Sequence, residues 1–410
     1  MEQSMETLTL EQKVLLELLA GEITGTVRLD ETELKTVNWD SVRKEAKAQA
    51  VPLMAAEGAA KYKEYITDFT PWKGLAAGAL TANIRTACHQ QALGELMHGR
   101  PYFILKGLAA ASYYPKPQER SLGDIDFLID PAQRAEVEQL LEENGYENWN
   151  TAHICHVVFR KGSAHLEMHF EISGIPYGKP GEIIRDFMKD AMAHRKTAAF
   201  DEWKFPAPDD LHHGLIILLH MQHHMLGEGL GLRHLCDWAC YVQKTADEPF
   251  WPQLLDLFRA IGLLTYAETI TKICALYFHI ACPAWAEGAD EPLCHDLMQD
   301  ILVGGNFGTK DKARARSGMM ISEHGKSGTS RGTASNLFWT LHHSTPAVYP
   351  VVKKCPPLYP FLDGWRILLY LCRTATGKRI SITKLAPMAK QRKSIYDRLH
   401  VFETDDRNNG

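Results

Sequence analysis

Gly123-Asp124-Ile125-Asp126-Phe127-Leu128-Ile129 is the stretch that decides the fold, sixteen residues past the end of Leu105-Lys106-Gly107. Read as a strand, it sends successive side chains to opposite faces. Asp124 and Asp126 then share one face, and Ile125, Phe127 and Ile129 the other. Carboxylates at i and i+2 stand roughly 6.5 Å apart at their Cα atoms. Their oxygens can converge on a pair of divalent ions about 3.5–4 Å apart, an arrangement that serves in-line attack at phosphorus. Asp-x-Asp alone is common. The weight comes from His165-Leu166-Glu167-Met168-His169-Phe170, which alternates strictly. His165, Glu167 and His169 fall on one face, and Leu166, Met168 and Phe170 on the other. Laid beside the first strand, it brings Glu167 to Asp124 and Asp126 as a third carboxylate. For either strand alone, the plain alternative is a half-buried sheet with its polar residues toward water.

Working outward, Tyr102–Lys106 reads as a short apolar strand, Ala132 to Asn144 as a helix ended by Gly145, and His153 to Arg160 as a strand. Arg160-Lys161-Gly162-Ser163 is the turn of a hairpin. Strands and helices mixed over 101–205 predict an α+β protein with a small mixed-sheet core. Residues 1–100 read as a helical region. It holds an amphipathic helix at Leu8–Leu19, an N-cap signature at Asn38-Trp39-Asp40-Ser41 and a long helix over Ala76–Met97. Asp209-Asp210 opens a helix that runs to about Leu226 and closes at Gly227. A second follows from Leu232, within a helical region over 206–303 packed on the core. Residues 304–336 hold seven Gly and five Ser, which predicts a flexible loop. Residues 337–410 read as a C-terminal helical region with a basic tail.

The chain has 410 residues, 45% of them apolar, enough to bury a large core over two or three domains. A net charge of −5 argues against a general nucleic-acid coat while leaving room for a local basic groove. Nine cysteines without Cys-x-x-Cys pairs fit reduced thiols. The N-terminus is acidic and lacks the basic and apolar regions of a secretion signal. No apolar run approaches the ~20 residues of a membrane span. The expectation is a soluble, cytoplasmic protein.

Lys106-Gly107, Arg120, Gly123-Asp124-Ile125-Asp126 and Leu166-Glu167-Met168-His169-Phe170 resemble the motif series of the uncharacterised nucleotidyltransferase family of the polymerase-beta-like superfamily. The resemblance continues through 211–243, in Leu219-His220, His223-His224 and Leu232-Arg233-His234-Leu235-Cys236-Asp237. It implies a transferase that moves a nucleoside monophosphate from an NTP, such as ATP, to a hydroxyl acceptor. One departure stands out. The superfamily usually carries Gly-Ser or Gly-Gly at the phosphate turn, whereas Leu108 follows Gly107 here.

On this reading Asp124 and Asp126 hold two Mg²⁺ ions, with Mn²⁺ as a substitute, because hard cations prefer carboxylate oxygens. Glu167 completes the ion on the nucleophile's side and takes up the proton of the attacking hydroxyl. Gly107 lets backbone N–H groups approach phosphate, backed by the N-terminus of the helix that follows. Lys106 and Arg120 are candidate phosphate partners, Arg120 from a loop closing over the nucleotide, and His169 either orients Glu167 or contacts the nucleotide phosphate. His213, His220 and His224 share a helical face. A zinc site is the less favoured reading of it, behind core histidines or the lining of the nucleotide cleft, with Asp237 anchoring one of them. The acceptor is expected to be a small molecule or a protein side chain. The alternatives are a toxin-like transferase acting on tRNA through Lys310, Lys312, Arg314, Arg316 and the tail, and a catalytically inactive nucleotide-binding scaffold.

Overall fold

The computed structural model describes residues 8–150, 155–311, 342, 345–346, 348–349, 351–375 and 382–403. The chain opens with helices α1 (Leu10–Ile23), α2 (Glu31–Thr36), α3 (Trp39–Ala48), α4 (Pro52–Ala60) and α5 (Thr70–Leu96). Strand β1 (Tyr102–Ile104), helix α6 (Leu108–Ala111), strand β2 (Ile125–Ile129), helix α7 (Arg134–Glu143) and strands β3 (Glu147–Asn150), β4 (His156–Lys161) and β5 (Ala164–His169) come next. Helix α8 (Lys179–Phe187) and the hairpin β6 (Lys196–Phe200) and β7 (Trp203–Ala207) lead to α9 (Asp210–Leu226), α10 (Leu232–Lys244), α11 (Trp251–Ala260), α12 (Leu264–Phe278) and α13 (Glu291–Gly304). Helices α14 (Val351–Lys354), α15 (Tyr359–Ala375) and α16 (Ile382–Leu399) close the chain.

Five strands form one mixed sheet in the order β1-β2-β5-β4-β3, with β2 and β5 parallel and the other neighbours antiparallel. Period-2 alternation gives the sheet two unlike faces. Ile125, Phe127, Ile129, Leu166, Met168, Val157 and Phe159 pack in one core with Val137 and Leu141 of α7 and Ala87 and Leu93 of α5. The opposite face carries the acids and turns toward a second, larger core built from α1, α4, α9, α10, α12 and α13. The expected α+β fold is the one observed.

Local sequence explains most elements. Thr9 and Gln12 close α1 with a reciprocal capping box, and Asn38 caps α3 by accepting from the Ser41 amide at 3.0 Å. Gly145, at φ 78°, ends the turn after α7 in the left-handed region. Helix α1 departs from its amphipathic reading, since every residue from Val14 to Ile23 is buried. It runs through the helical body rather than over it, and its acids are satisfied there: Glu17 by His279, Glu22 by Lys61 and Lys116. Strand β3 and the β6–β7 hairpin go beyond the expected elements. Of the 304–336 stretch, residues 304–311 are folded, with Lys310 bound to Glu45 at 2.7 Å; the rest lies outside the described residues. The tail is in part structural. Arg392 is buried and donates to the Met225 carbonyl at 2.9 Å, and Arg398 bridges Asp290 and Asp296. Lys378 and Arg379 lie outside the described residues.

Candidate functional site

The parallel pairing of β2 and β5 sets Asp126 directly opposite Glu167 and Leu128 opposite His169. Asp124 precedes the first paired residue on the same face, and its carboxylate accepts from His165 Nδ1 at 2.7 Å. Three carboxylates thus meet where two strands run side by side. Lys106, just past the end of β1, points back into this face with Nζ 2.7 Å from Asp126 Oδ1. His169 Nε2 donates to the same oxygen at 3.1 Å and lies 3.6 Å from Glu167. Asp126, Glu167 and His169 offer donor atoms within 4.8 Å of one another, and so do Asp124, His165 and Glu167. Glu167 belongs to both groups.

Charge within the site is unevenly distributed. Burial raises the Asp124 pKa, and the Glu167 and Asp126 carboxylates add to this against the His165 contact. For Asp126 the opposite holds: burial would raise it, but Lys106 and His169 keep it ionised well below the usual carboxylate range. His169 is 1% exposed, and burial alone would lower its pKa. Hydrogen bonds to Asp126, Cys155 and Glu167 outweigh that and push it up to about 10, so it stands as imidazolium. Two cations therefore neutralise the deeper acid and leave the shallower one under repulsion. A divalent cation would relieve that repulsion, and three carboxylates on one face, each with an orienting partner, suit an ion that prefers oxygen. The donor set fits such an ion.

Gly107 takes φ 58° and ψ −118°, a backbone that L side chains rarely adopt. The turn is the expected one, but α6 is only four residues long and carries little helix dipole. Leu108 is 2% exposed and packs in the core beneath the sheet. The missing hydroxyl is thus a core side chain and no loss to the acid-bearing face.

Arg120 stands apart from its expected place. Its guanidinium is buried and held at both ends by Asp237, with Nε 2.7 Å from Oδ1 and Nη2 2.8 Å from Oδ2. Tyr114 donates to the same carboxylate at 2.6 Å. The 117–122 segment is therefore clamped to α10 rather than free to close, and Asp237 anchors Arg120 and Tyr114 rather than a histidine. Asn83 completes the clamp: its amide donates to the carbonyls of Gln118 and Arg120 and accepts from the Leu122 amide. Asn83 sits 41 residues before Asp124 in a helix otherwise read only for its apolar content, so the sequence offered no signal for it.

The histidine face divides. His213 is fully buried, with Nε2 donating to the Leu105 carbonyl at 3.1 Å and Nδ1 lying 3.0 Å from the Tyr113 hydroxyl. Burial depresses it to about 3. His220 and His224 meet His234 of α10 at ring separations of 5.4 and 5.3 Å, and Phe307 covers His224 and His234. Burial holds all three well below the ordinary histidine value, and the nearby Lys106 charge adds to it.

A family model for uncharacterised nucleotidyltransferases matches residues 35–279. No curated protein and no solved structure is a significant match to the chain. The match spans most of the helical layer and the whole five-stranded sheet, and the chain belongs to that family as a transferase of nucleotidyl groups.

Proposed function

We propose that this nucleotidyltransferase moves a nucleoside monophosphate from an NTP to a hydroxyl of a small molecule or a protein side chain, breaking the α–β phosphoanhydride bond and releasing pyrophosphate, with Mg²⁺ as its metal. The observation that carries the reading is the register Asp126 opposite Glu167, with Asp124 two residues back on the same face. Asp124, Asp126 and Glu167 would hold two ions, which supply charge neutralisation and an activated oxygen when bound. Glu167, the more accessible partner of Asp126, takes up the proton of the incoming hydroxyl. Lys106 already faces Asp126 and stands ready to exchange that carboxylate for phosphate as the site fills. His169 holds Asp126 and Glu167 in place through Nε2, and Gly107 permits close backbone approach. Arg120 positions the 117–122 segment through Asp237.

The acceptor assignment rests on charge. Of the basic residues read as RNA-facing, Lys310, Arg392 and Arg398 are engaged with Glu45, the Met225 carbonyl, Asp290 and Asp296, while Lys312, Arg314, Arg316, Lys378 and Arg379 lie outside the described residues. A cytoplasmic setting agrees with nine cysteines that form no disulfide. No helix among the described residues is long and apolar enough to cross a membrane.

The test is incubation of the purified chain with each labelled NTP, Mg²⁺ or Mn²⁺, and a fractionated cell extract. Label should pass to a small-molecule or protein fraction in a metal-dependent way. Label in tRNA would reverse the acceptor assignment, and no transfer with any NTP would refute the reading.

A further inference from the structure

We propose that Arg233 and His234, at the start of α10, form the side-chain cradle that grips the triphosphate of the NTP. The inference rests on the transferase reading above and names the groups that hold its substrate.

Arg233 is a guanidinium without a carboxylate among the described residues. Its natural partner one helical turn on is Asp237, but both oxygens of Asp237 are taken by Arg120 and Tyr114. Arg233 Nε is buried with no acceptor. Nη1 lies against the chain just before Asp124, 4.0 Å from where a Cβ on Gly123 would stand. Arg233 is only partly buried and its guanidinium lies 5.4 Å from the Phe307 ring, but no described carboxylate offsets its charge, so an anion that arrives with the substrate fits this place. The planar fork of arginine suits phosphate oxygens in pairs.

His234 contributes a second donor. Its Nδ1 accepts from the Gly231 amide at 3.3 Å, which leaves the proton of the neutral ring on Nε2. That Nε2 is buried and has no partner, in a residue 1% exposed. His220, His224 and His234 offer donor atoms within 4.8 Å of one another, and a metal held there through this Nε2 would require its proton to move to Nδ1 at the expense of the Gly231 contact. The backbone amides at this helix start are already spent: Leu232 donates to Gln49 Oε1 at 3.1 Å and Arg233 to the Gln49 carbonyl at 3.4 Å. The cradle is therefore made of side chains. Its charge reaches the catalytic face, since Arg233 and His224 both feel Asp126 and His234 feels Lys106.

The test is titration calorimetry in Mg²⁺ with a non-hydrolysable α,β-methylene NTP and, separately, inorganic tripolyphosphate. The set is the wild-type chain, Arg233→Met, Arg233→Lys and His234→Gln, with melting temperatures taken without ligand. Arg233→Met should weaken both ligands by about 30-fold or more, Arg233→Lys should restore only part, and His234→Gln should cost about 5–10-fold, as loss of charged and neutral donors does. Arg233→Met should melt close to the wild type, because it removes a charge with no carboxylate partner and gives up only the contact with Phe307. Binding within twofold of wild type, or a large drop in melting temperature, would overturn the cradle. Binding of tripolyphosphate without any NTP would keep the cradle and sink the transferase reading, while no binding of either would sink both. Stoichiometric zinc in the purified wild type, lost in His220→Ala, would reassign the histidines to a metal.

Discussion

Histidines on the acid-bearing wall of the sheet and on the wall formed by α9 and α10 differ in charge although burial acts on both alike. On the sheet wall, His169 is nearly inaccessible and yet held as imidazolium, because Asp126 and Glu167 stand within hydrogen-bonding or ion-pair reach. On the helix wall, His213 and His234 are buried, His220 and His224 partly so, and all four are neutral, because desolvation outweighs the Asp210 and Asp237 charges acting on His213 and the Asp126 charge acting on His224. Burial pushes every one of these rings toward the neutral form, and only carboxylates hydrogen-bonded to the ring itself, as at His169, reverse it. The sheet wall thus has its deeper acid neutralised and its outer acid under repulsion, suited to taking up a metal cation. The helix wall is a neutral lining with one unpaired guanidinium, suited to receiving an anion.

The largest effect that would break this comparison comes from Asp126. Asp126→Asn removes the group that keeps His169 protonated and Lys106 paired. Transfer should fall roughly 10³-fold and metal-free stability by about 2–4 kcal/mol, as when one member of a buried pair is lost. Glu167→Gln should instead lower kcat by roughly 10²-fold with NTP affinity within about threefold. Turnover kinetics beside calorimetry separate the two, and equal losses of rate and affinity at Glu167 would make it a nucleotide-holding group.

Next comes the clamp that joins the walls. Asp237→Ala strands a buried guanidinium and the Tyr114 hydroxyl, and should cost about 3–5 kcal/mol in urea unfolding. Asp237→Asn should lie between, keeping the hydrogen bonds without the charge. A loss below ~1 kcal/mol for the alanine variant would show that the 117–122 segment is held by Asn83 alone.

The walls should also fail at opposite ends of the pH scale. His213 sits at about 3 in the fold, against roughly 6.5 when unfolded, so the unfolded chain binds the extra proton between these values. Its contribution is intact above ~6.5 and falls by about 1.4 kcal/mol per pH unit as the medium is acidified. The depressed His220, His224 and His234 add to that slope. His169 runs the other way: raised to about 10, it stabilises fully below ~6.5 and loses this as pH climbs through its folded value. Unfolding free energies from pH 4.5 to 6.5 should show a slope reduced by about one proton in His213→Gln. An unchanged slope would mean that His213 is not neutral in the fold.

How far the sequence discloses this arrangement depends on the range of the interaction concerned. Asp124, Asp126, Glu167 and His169 are legible because strict alternation assigns each to a face, and the faces survive in the structure. Strand β3 is not: Glu147-Asn148-Trp149-Asn150 has no apolar alternation, and Trp149 stays exposed beneath the Arg160 guanidinium, 3.6 Å from its ring. The β6–β7 hairpin turns at Asp201-Glu202 without a glycine, Asp201 itself adopting φ 50°. Arg120 looks like a loop cation until Asp237, 117 residues away, is seen to own it. That same pairing is what leaves Arg233 alone, so its significance appears only once the partner is spent elsewhere. Pattern reveals faces; long-range pairing decides which charges remain available.

The smallest effect is at Asp124, and it tests the comparison most finely. Both aspartates lie on one face, and on that ground alone removing either negative charge is simple relief of repulsion. The contacts distinguish them. The Asp124 side chain is 49% exposed and has His165 as its ion-pair partner, while Glu167 and Asp126 work against its charge. Asp124→Asn gives up one solvent-screened ion pair and relieves two repulsions, so metal-free stability should stay within about 0.5 kcal/mol of wild type. Added Mg²⁺ should then stabilise the wild type, because the folded state alone assembles the carboxylates, and stabilise Asp124→Asn less. Urea unfolding of the wild type and both asparagine variants, each with and without Mg²⁺, gives the needed comparison. If Asp124→Asn loses as much as Asp126→Asn without metal, the inner and outer carboxylates are equivalent and the division of charge along this strand is wrong.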